Sequence, residues 1–326
     1  MLTFISEADV REHLTLEDSI DALDEAFRFL AAGRGEVVAR RRLEVPNGLF
    51  HWMPASLEGA GVMGAKLYTT FGDQRESYIM LFDAHTGRLA AVVQSYHLSM
   101  IRTAAATALA TRHLARRNAH TVCMIGTGST AFMQVKGICA VRSVEEVRVF
   151  GRRAKQREQL AEALAADLVG VRVVAAHSAE QAVRGADIIV TSTNTATPIL
   201  SLDWIAPGTH LNLIGSNFSH KREVGADLLL AAERVVADSL VSAREEAGDL
   251  VLAVSEGKFS WDRVDELSQV VAGIRPGRAT EQGITVFKSV GVAIEDLAVA
   301  SHLVHRLFAR TSPVARQSSS SRGGEE

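Results

Sequence analysis

The stretch Thr121-Val122-Cys123-Met124-Ile125-Gly126-Thr127-Gly128-Ser129-Thr130-Ala131 limits what this chain can fold into more than any other. Apolar or β-favouring residues without a charge run into a Gly-x-Gly-x-x-Ala turn, and a helical pattern follows to about Val141. A buried parallel strand, a tight turn and a helix N-terminus, in that order, form the arrangement a dinucleotide pyrophosphate requires. Gly126 permits the turn, Gly128 lets backbone approach the phosphates, and Ala131 is small enough for close helix–strand packing. At Ser129 and Thr130 the free N–H groups of the helix start would face the anion. A plain glycine turn is the alternative, and the strand before it and the helix after it favour the nucleotide site.

Downstream, strands at 147–150, 171–175, 187–191, 209–214 and 234–237 alternate with helices at 154–166 and 178–184. That alternation predicts an α/β fold with a Rossmann-type, doubly wound parallel sheet. Upstream the period differs. Residues 3–34 read as helical, opened by a capping box of Ser6 and Asp9. Strand-like pieces at 37–45, 49–53, 62–70, 78–83 and 89–94 read as an antiparallel sheet. An alanine-rich helix over 99–115 implies close approach of another backbone. Helical segments at 242–255 and 262–272 precede a last apolar helix at 291–309, which has no partner in the nucleotide domain and so returns to the first. The expected organisation is a discontinuous α+β substrate-binding and dimerisation domain (1–115 with 291–312) around a dinucleotide domain (116–290). The tail from 313 to 326 is poor in apolar residues and is expected to be disordered.

Composition closes off several classes of function. With 35 basic against 38 acidic residues the net charge is −3, so neither nucleic acid nor an anionic membrane is an expected partner. No uncharged run approaches the roughly 20 residues of a membrane span, and the first residues lack the features of a secretory signal, so a cytoplasmic protein is expected. Cys123 and Cys139 read as small buried hydrophobes. His302 and His305 lack a third ligand at a recognisable spacing, so no metal is expected. No Gly-x-Ser-x-Gly elbow is present.

Four places carry charge where chemistry could use it. The second nucleotide-domain strand ends Val149-Phe150-Gly151-Arg152-Arg153, where a ribose-binding acid is usual. Two guanidinium groups there favour a 2′-phosphate and hence NADP(H), with NAD(H) possible; the alternative is a solvated loop. Arg102 stands near the start of the alanine-rich helix, where a cation opposes the dipole unless an anion sits beside it. Lys66 lies in a mostly apolar strand and either faces a cleft or, the better reading of these residues alone, faces solvent. Within Arg40-Arg41-Arg42 nothing local chooses among the three.

The chain also resembles the ornithine cyclodeaminase and μ-crystallin family. Gly64-Ala65-Lys66-Leu67, Leu81-Phe82-Asp83 with Thr86-Gly87, Arg102-Thr103-Ala104-Ala105 and the Gly126–Ala131 turn carry the resemblance. Pro207-Gly208-Thr209-His210-Leu211-Asn212, Glu246-Ala247-Gly248-Asp249 and Thr285-Val286-Phe287-Lys288-Ser289 complete it, in the family's order. The resemblance implies that Arg42, Lys66 and Arg102 surround a substrate carboxylate, with Lys66 close to the reacting carbon. It implies a cofactor lined by Arg102, Thr103, Thr130, Arg152, Arg153, Thr193, Asn194, Gly215 and Ser289, and a homodimer built through the first domain. Cyclodeaminases of the family carry an aspartate where this chain has Asn217, which cannot exchange a proton near neutral pH. Members that reduce imines lack that aspartate too. The expected activity is therefore NAD(P)H-dependent reduction of an α-imino acid, or the reverse dehydrogenation of an α-amino acid. Redox-neutral cyclodeamination and non-enzymatic binding of a small carboxylate are the alternatives.

Overall fold

The computed structural model describes residues 2–72, 74 and 76–311. The first part of the chain runs β1 (Thr3–Ile5), α1 (Glu7–His13), α2 (Leu16–Ala31), β2 (Glu36–Val37), β3 (Arg41–Val45), β4 (Gly48–Leu57), β5 (Val62–Thr70), β6 (Ser77–Asp83), β7 (Leu89–Gln94) and α3 (Tyr96–Leu114). Strands β4 to β7 pair antiparallel with their neighbours, and β1 adds in parallel to β7. The capping box is present, with Ser6 and Asp9 exchanging side-chain and backbone hydrogen bonds. The single helix expected over 3–34 is instead a strand and two helices. Thr3–Ile5 is too short to show alternation, and its pairing with Ala91–Val93 is a long-range event. The strand expected over 37–45 breaks into β2 and β3, leaving Arg40 in the gap.

The second part begins β8 (Thr121–Ile125), α4 (Ala131–Cys139), β9 (Glu146–Phe150), α5 (Ala154–Asp167), β10 (Arg172–Ala175), α6 (Ala179–Val183), β11 (Ile188–Thr191) and β12 (His210–Leu213). It continues α7 (Ala226–Ala231), β13 (Ala232–Ala237), α8 (Leu240–Glu246), α9 (Gly248–Ser255), β14 (Val264–Glu266), α10 (Leu267–Val271), β15 (Ile284–Lys288) and α11 (Ala293–Thr311). All the pairings of this sheet are parallel, in the order β10-β9-β8-β11-β12-β15-β13-β14. All of β8 is buried at its centre. This is the expected Rossmann-type α/β sheet.

Three helical readings need correction. Helix α7 was not foreseen. The helix expected over 242–255 is two, broken at Ala247, because Gly248 packs so tightly that a Cβ would stand 2.0 Å from the Lys221 carbonyl. The segment 262–272 opens as a short 3-10 turn and β14, since Val264 and its neighbours pair with β13.

Helix α3 joins the two parts. A Cβ on Gly137 of α4 would stand 2.6 Å from the Ala104 carbonyl, so the backbones touch where the alanine run predicted a close approach. Helix α11 packs on α2, α3, β4 and β5, in the core of the first part rather than on the parallel sheet. The tail expectation for 313–326 lies outside the described residues.

Candidate active site

A cavity of about 1120 Å³ runs from the glycine turn to the inner face of the first sheet. At the turn end, Gly126 has φ +117°, and a Cβ there would lie 2.3 Å from the Ser192 carbonyl, so only glycine closes it. Gly128 also lines the cavity, and no atom lies within 4 Å of where its Cβ would be. Thr130, at the start of α4, makes no side-chain cap and places its hydroxyl 3.0 Å from that of Ser192. The first-turn N–H groups are thus left without a side-chain partner, as an anion site requires. Gly215 is held equally close to Thr193, where a Cβ would meet main-chain atoms at 2.3 Å. These features fit a dinucleotide. Thr103, Ser129, Thr193, Asn194 and Ser289 line the same cavity. Ala131 does not; fully buried among Val122, Met124 and Val135, it closes helix onto strand. Arg152 and Arg153 are exposed, line the cavity and form no salt bridge among the described residues.

At the other end the solvent-face reading of Lys66 fails. The residue is 4% exposed and lines the cavity. Register decides this: Lys66 lies opposite Met53 and Ile79, both buried on the face that α11 covers. Its Nζ donates to Asp296 Oδ1 at 2.9 Å and to Ser99 Oγ at 2.5 Å. Arg102 also lines the cavity and is buried. Its helix begins at Tyr96, earlier than expected, because the Glu7 carboxylate accepts the Tyr96 N–H at 2.5 Å and so caps the helix from another element. Arg102 therefore stands beyond the first turn. It donates from Nη1 to Glu295 at 2.6 Å and from Nε to Asp296 at 3.1 Å. These acids occupy the first turn of α11, where a carboxylate also suits the helix dipole.

Burial lowers the Lys66 ammonium to about 8, with Asp296 partly holding it up. Burial would lift Asp296, but Arg102 and Lys66 outweigh it and hold the carboxyl below its usual range. Burial raises Glu295 to about 8 against the pull of Arg102. Lys66, Asp296 and Arg102 are thus all charged at neutral pH.

Alternation along β3 separates Arg41 from Arg42, and Arg40 lies in the gap before that strand. Arg41 points outward to Glu245 at 2.7 Å, while Arg40 and Arg42 turn inward to Glu246. Arg42 does not line the cavity, contrary to the resemblance. Its Nη1 pairs with Glu246 at 2.7 Å, its Nη2 donates to the Asn217 carbonyl at 2.9 Å, and its guanidinium lies over the Phe218 ring. Arg40 is the member of the run that lines the cavity.

The remaining motifs converge on the loop after β12. Lys288 donates to the Ser216 carbonyl and pairs with Asp249, both at 2.9 Å. Asp249 accepts the N–H groups of Glu223 and Val224. Glu223 accepts from the Thr191 hydroxyl, from the Thr193 N–H and hydroxyl, and from the Gly215 N–H, all at 2.7–2.9 Å. Asn217, which lines the cavity, is therefore carried on a loop clamped from three sides. With four donors on its carboxylate, Glu223 is committed to that clamp. Among the described residues no group of three or more His, Cys, Asp or Glu is arranged to hold a metal, and no helix is long and apolar enough to cross a membrane.

Sequence reasoning missed Ser99, Glu295 and Asp296. The one signal was an acidic pair in the first turn of an otherwise apolar helix.

Known proteins resemble this chain in sequence and in fold. The family model described as "Ornithine cyclodeaminase/mu-crystallin family" matches residues 2–310. A Δ1-pyrroline-2-carboxylate reductase of Bacillus cereus is 36% identical over 266 residues, covering 79% of this chain and 81% of that protein. A solved Δ1-pyrroline-2-carboxylate reductase of Thermococcus litoralis, in complex with NADH and L-proline, superposes with a TM-score of 0.90 at 28% identity, covering 95% and 98%. An archaeal alanine dehydrogenase, a dimer with bound NAD, superposes at 0.89 with 28% identity, covering 95% and 97%.

Proposed function

The chain belongs to the ornithine cyclodeaminase/mu-crystallin family, and from that premise we propose that it is an NAD(P)H-dependent oxidoreductase that reduces an α-imino acid or ketimine to the α-amino acid. The observation that carries the reading is a buried cationic wall, Lys66 and Arg102, in the same cavity as the glycine turn. When bound, the nicotinamide supplies the hydride. The chain's residues supply the rest. Lys66 and Arg102 attract the substrate carboxylate, and Lys66 polarises the C=N bond by facing its nitrogen with an N–H. Reduction adds a hydride to carbon and a proton to nitrogen, so a charged Lys66 held by Ser99 and Asp296 is a suitable proton source. Asn217 orients the substrate by hydrogen bonding. Relatives named for Δ1-pyrroline-2-carboxylate make a five-membered cyclic imino acid the first substrate to test.

Asn217 decides against cyclodeamination, which needs a group that takes and returns a proton as ammonia leaves. The expected result is that ornithine gives neither proline nor ammonia, while a cyclic ketimine or an α-imino acid consumes NAD(P)H stoichiometrically. A panel of 2-oxo acids with ammonia or methylamine, plus cyclic imines, tests this. Robust conversion of ornithine to proline would sink the assignment, and binding without turnover would make the protein a carrier.

NADP(H) is the proposed preferred cofactor, on the two guanidinium groups after β9, which form no salt bridge among the described residues, and the absence of a carboxylate there. Replacing Arg152 and Arg153 with glutamine should weaken NADPH by about 1.5–3 kcal/mol per lost contact while barely changing NADH. Titration with both cofactors checks it; equal losses, or a wild-type preference for NADH, would refute it.

A homodimer is proposed through the outer face of the first sheet. Phe4, Leu43, Trp52 and Met63 share that face by register and are 37–63% exposed. An apolar sheet face of that kind marks an association surface.

A further inference from the structure

We propose that Asp238 is a positioning residue for the cofactor: it takes the hydroxyl proton of Ser289 in a hydrogen bond and so presents Ser289 to the nicotinamide carboxamide as an acceptor. The inference rests on the NAD(P)H-dependent reading of the cavity and adds a buried residue behind it.

Strand pairing brings the two residues together. Ala237 of β13 lies opposite Lys288 of β15, so Asp238 and Ser289 follow adjacent strand ends. Asp238 is fully buried. Its Oδ2 accepts from Ser289 Oγ at 2.9 Å and from the N–H groups of Val290 and Gly291, each at 2.7 Å. Its Oδ1 accepts from the Ser239 N–H at 2.9 Å. Burial pushes the carboxyl up, and these donors pull it back. All four bonds run towards the carboxyl, so Oδ2 accepts whether or not Oδ1 carries a proton. The Ser289 hydroxyl has one proton and two lone pairs. The proton goes to Asp238, and one lone pair accepts the Gly291 N–H at 3.2 Å. The other lone pair remains, on a residue that is 3% exposed and lines the cavity.

Position selects the carboxamide. In sheet order β9 lies on one side of β8, and β15 lies on the other, beyond β11 and β12. A dinucleotide with its pyrophosphate at the β8 turn and its adenosine towards Arg152 carries its nicotinamide half towards β15. The turn after β15 also touches two buried cations. Arg40 Nη2 donates to the Val290 and Gly291 carbonyls, each at 2.9 Å, and a Cβ on Gly291 would stand 2.9 Å from Arg102 Nη1. Ser289 therefore stands where the cofactor and the substrate end of the cavity meet. The nicotinamide ring offers one donor group there, the carboxamide NH2. An acceptor held on that group fixes how the ring is turned, and so which face meets the substrate.

The test uses binding to the full chain. Dissociation constants of NADP+ and NAD+ are compared with those of their 3-acetylpyridine analogues, in which an acetyl group without an N–H replaces the carboxamide. The proteins are wild type, Ser289→Ala, Asp238→Ala and Asp238→Asn. Wild type should hold the carboxamide cofactors roughly 3- to 10-fold more tightly than the acetyl analogues, the worth of one hydrogen bond. Ser289→Ala should bring that ratio close to one. Asp238→Ala should do the same with Ser289 intact, because the hydroxyl proton is then free to turn towards the cavity. Asp238→Asn should keep the ratio, since its amide oxygen can face the same three donors. In the Ser289→Ala background, Asp238→Ala should change the ratio no further. A merely structural role would weaken both members of each pair alike and leave the ratio untouched. A wild-type ratio near one, or a ratio that survives Asp238→Ala, would overturn the proposal. If Asp238→Ala does not fold, Asp238→Ser decides, because its oxygen stops one bond short of the turn. A ratio near one then supports the role, and an unchanged ratio removes it. Should wild type reduce no imino acid, the reductase reading falls, while these ratios still decide Asp238.

Discussion

Lys66→Met should lower kcat/KM for imino-acid reduction by ~10²-fold or more, while NADPH binds as to wild type. The substitution keeps the length and apolar stem of the side chain and removes only the ammonium. The lost interaction is strongest where charge develops on the reacting nitrogen, so kcat should fall along with kcat/KM. The pH profile gives a second readout. Because burial lowers the ammonium to about 8, its charge is present below that value and lost as pH rises through it. Reductive activity should therefore decline with a limb near pH 8, and Lys66→Arg, which stays charged, should lack that limb. Near wild-type turnover by Lys66→Met would remove the residue from the chemistry.

Asp296→Asn is expected to cost about 3–5 kcal/mol of stability, the usual result of removing one partner from a buried ion pair. The carboxylate is fully buried, and a single oxygen, Oδ1, accepts from both Lys66 and Arg102. An amide oxygen in that place can still accept both hydrogen bonds, but it carries no charge to balance two cations. Urea unfolding measures the loss. Combining Asp296→Asn with Lys66→Met should recover part of it, since one stranded charge is then gone. The pH dependence has a defined sign. Asp296 is held below the ordinary carboxylate range, so its contribution is present at neutral pH and is lost as acid protonates it in the fold. A loss under about 1 kcal/mol would mean the cations find other partners. Asp296→Asn should also move the Lys66 limb to lower pH, because the charge opposing its desolvation is removed.

These two residues show where local pattern ends. Gly126, Gly128 and Ala131 were legible because the constraint on each is local: a positive φ, an open approach and a small packing surface are properties of a short run of backbone. The parallel sheet was legible because a strand buried on both faces must be apolar throughout, as β8 is. The alanine run announced the close contact with Gly137 because only small side chains permit it.

Lys66 looked like a surface lysine because charge ordinarily avoids burial, and nothing near it in the chain cancels the cost. Asp296 does so, but it is 230 residues away. Likewise β1 is a strand because β7 offers it an edge, and α3 starts where it does because Glu7 caps it. The sequence by itself determined the nucleotide turn, the class of the sheet and, through the resemblance, the family. The tertiary structure alone decided which charges are buried, which acids hold them and which arginine faces the cavity. A buried charge is stable only in the company of its partners, and those partners come together only when the chain folds.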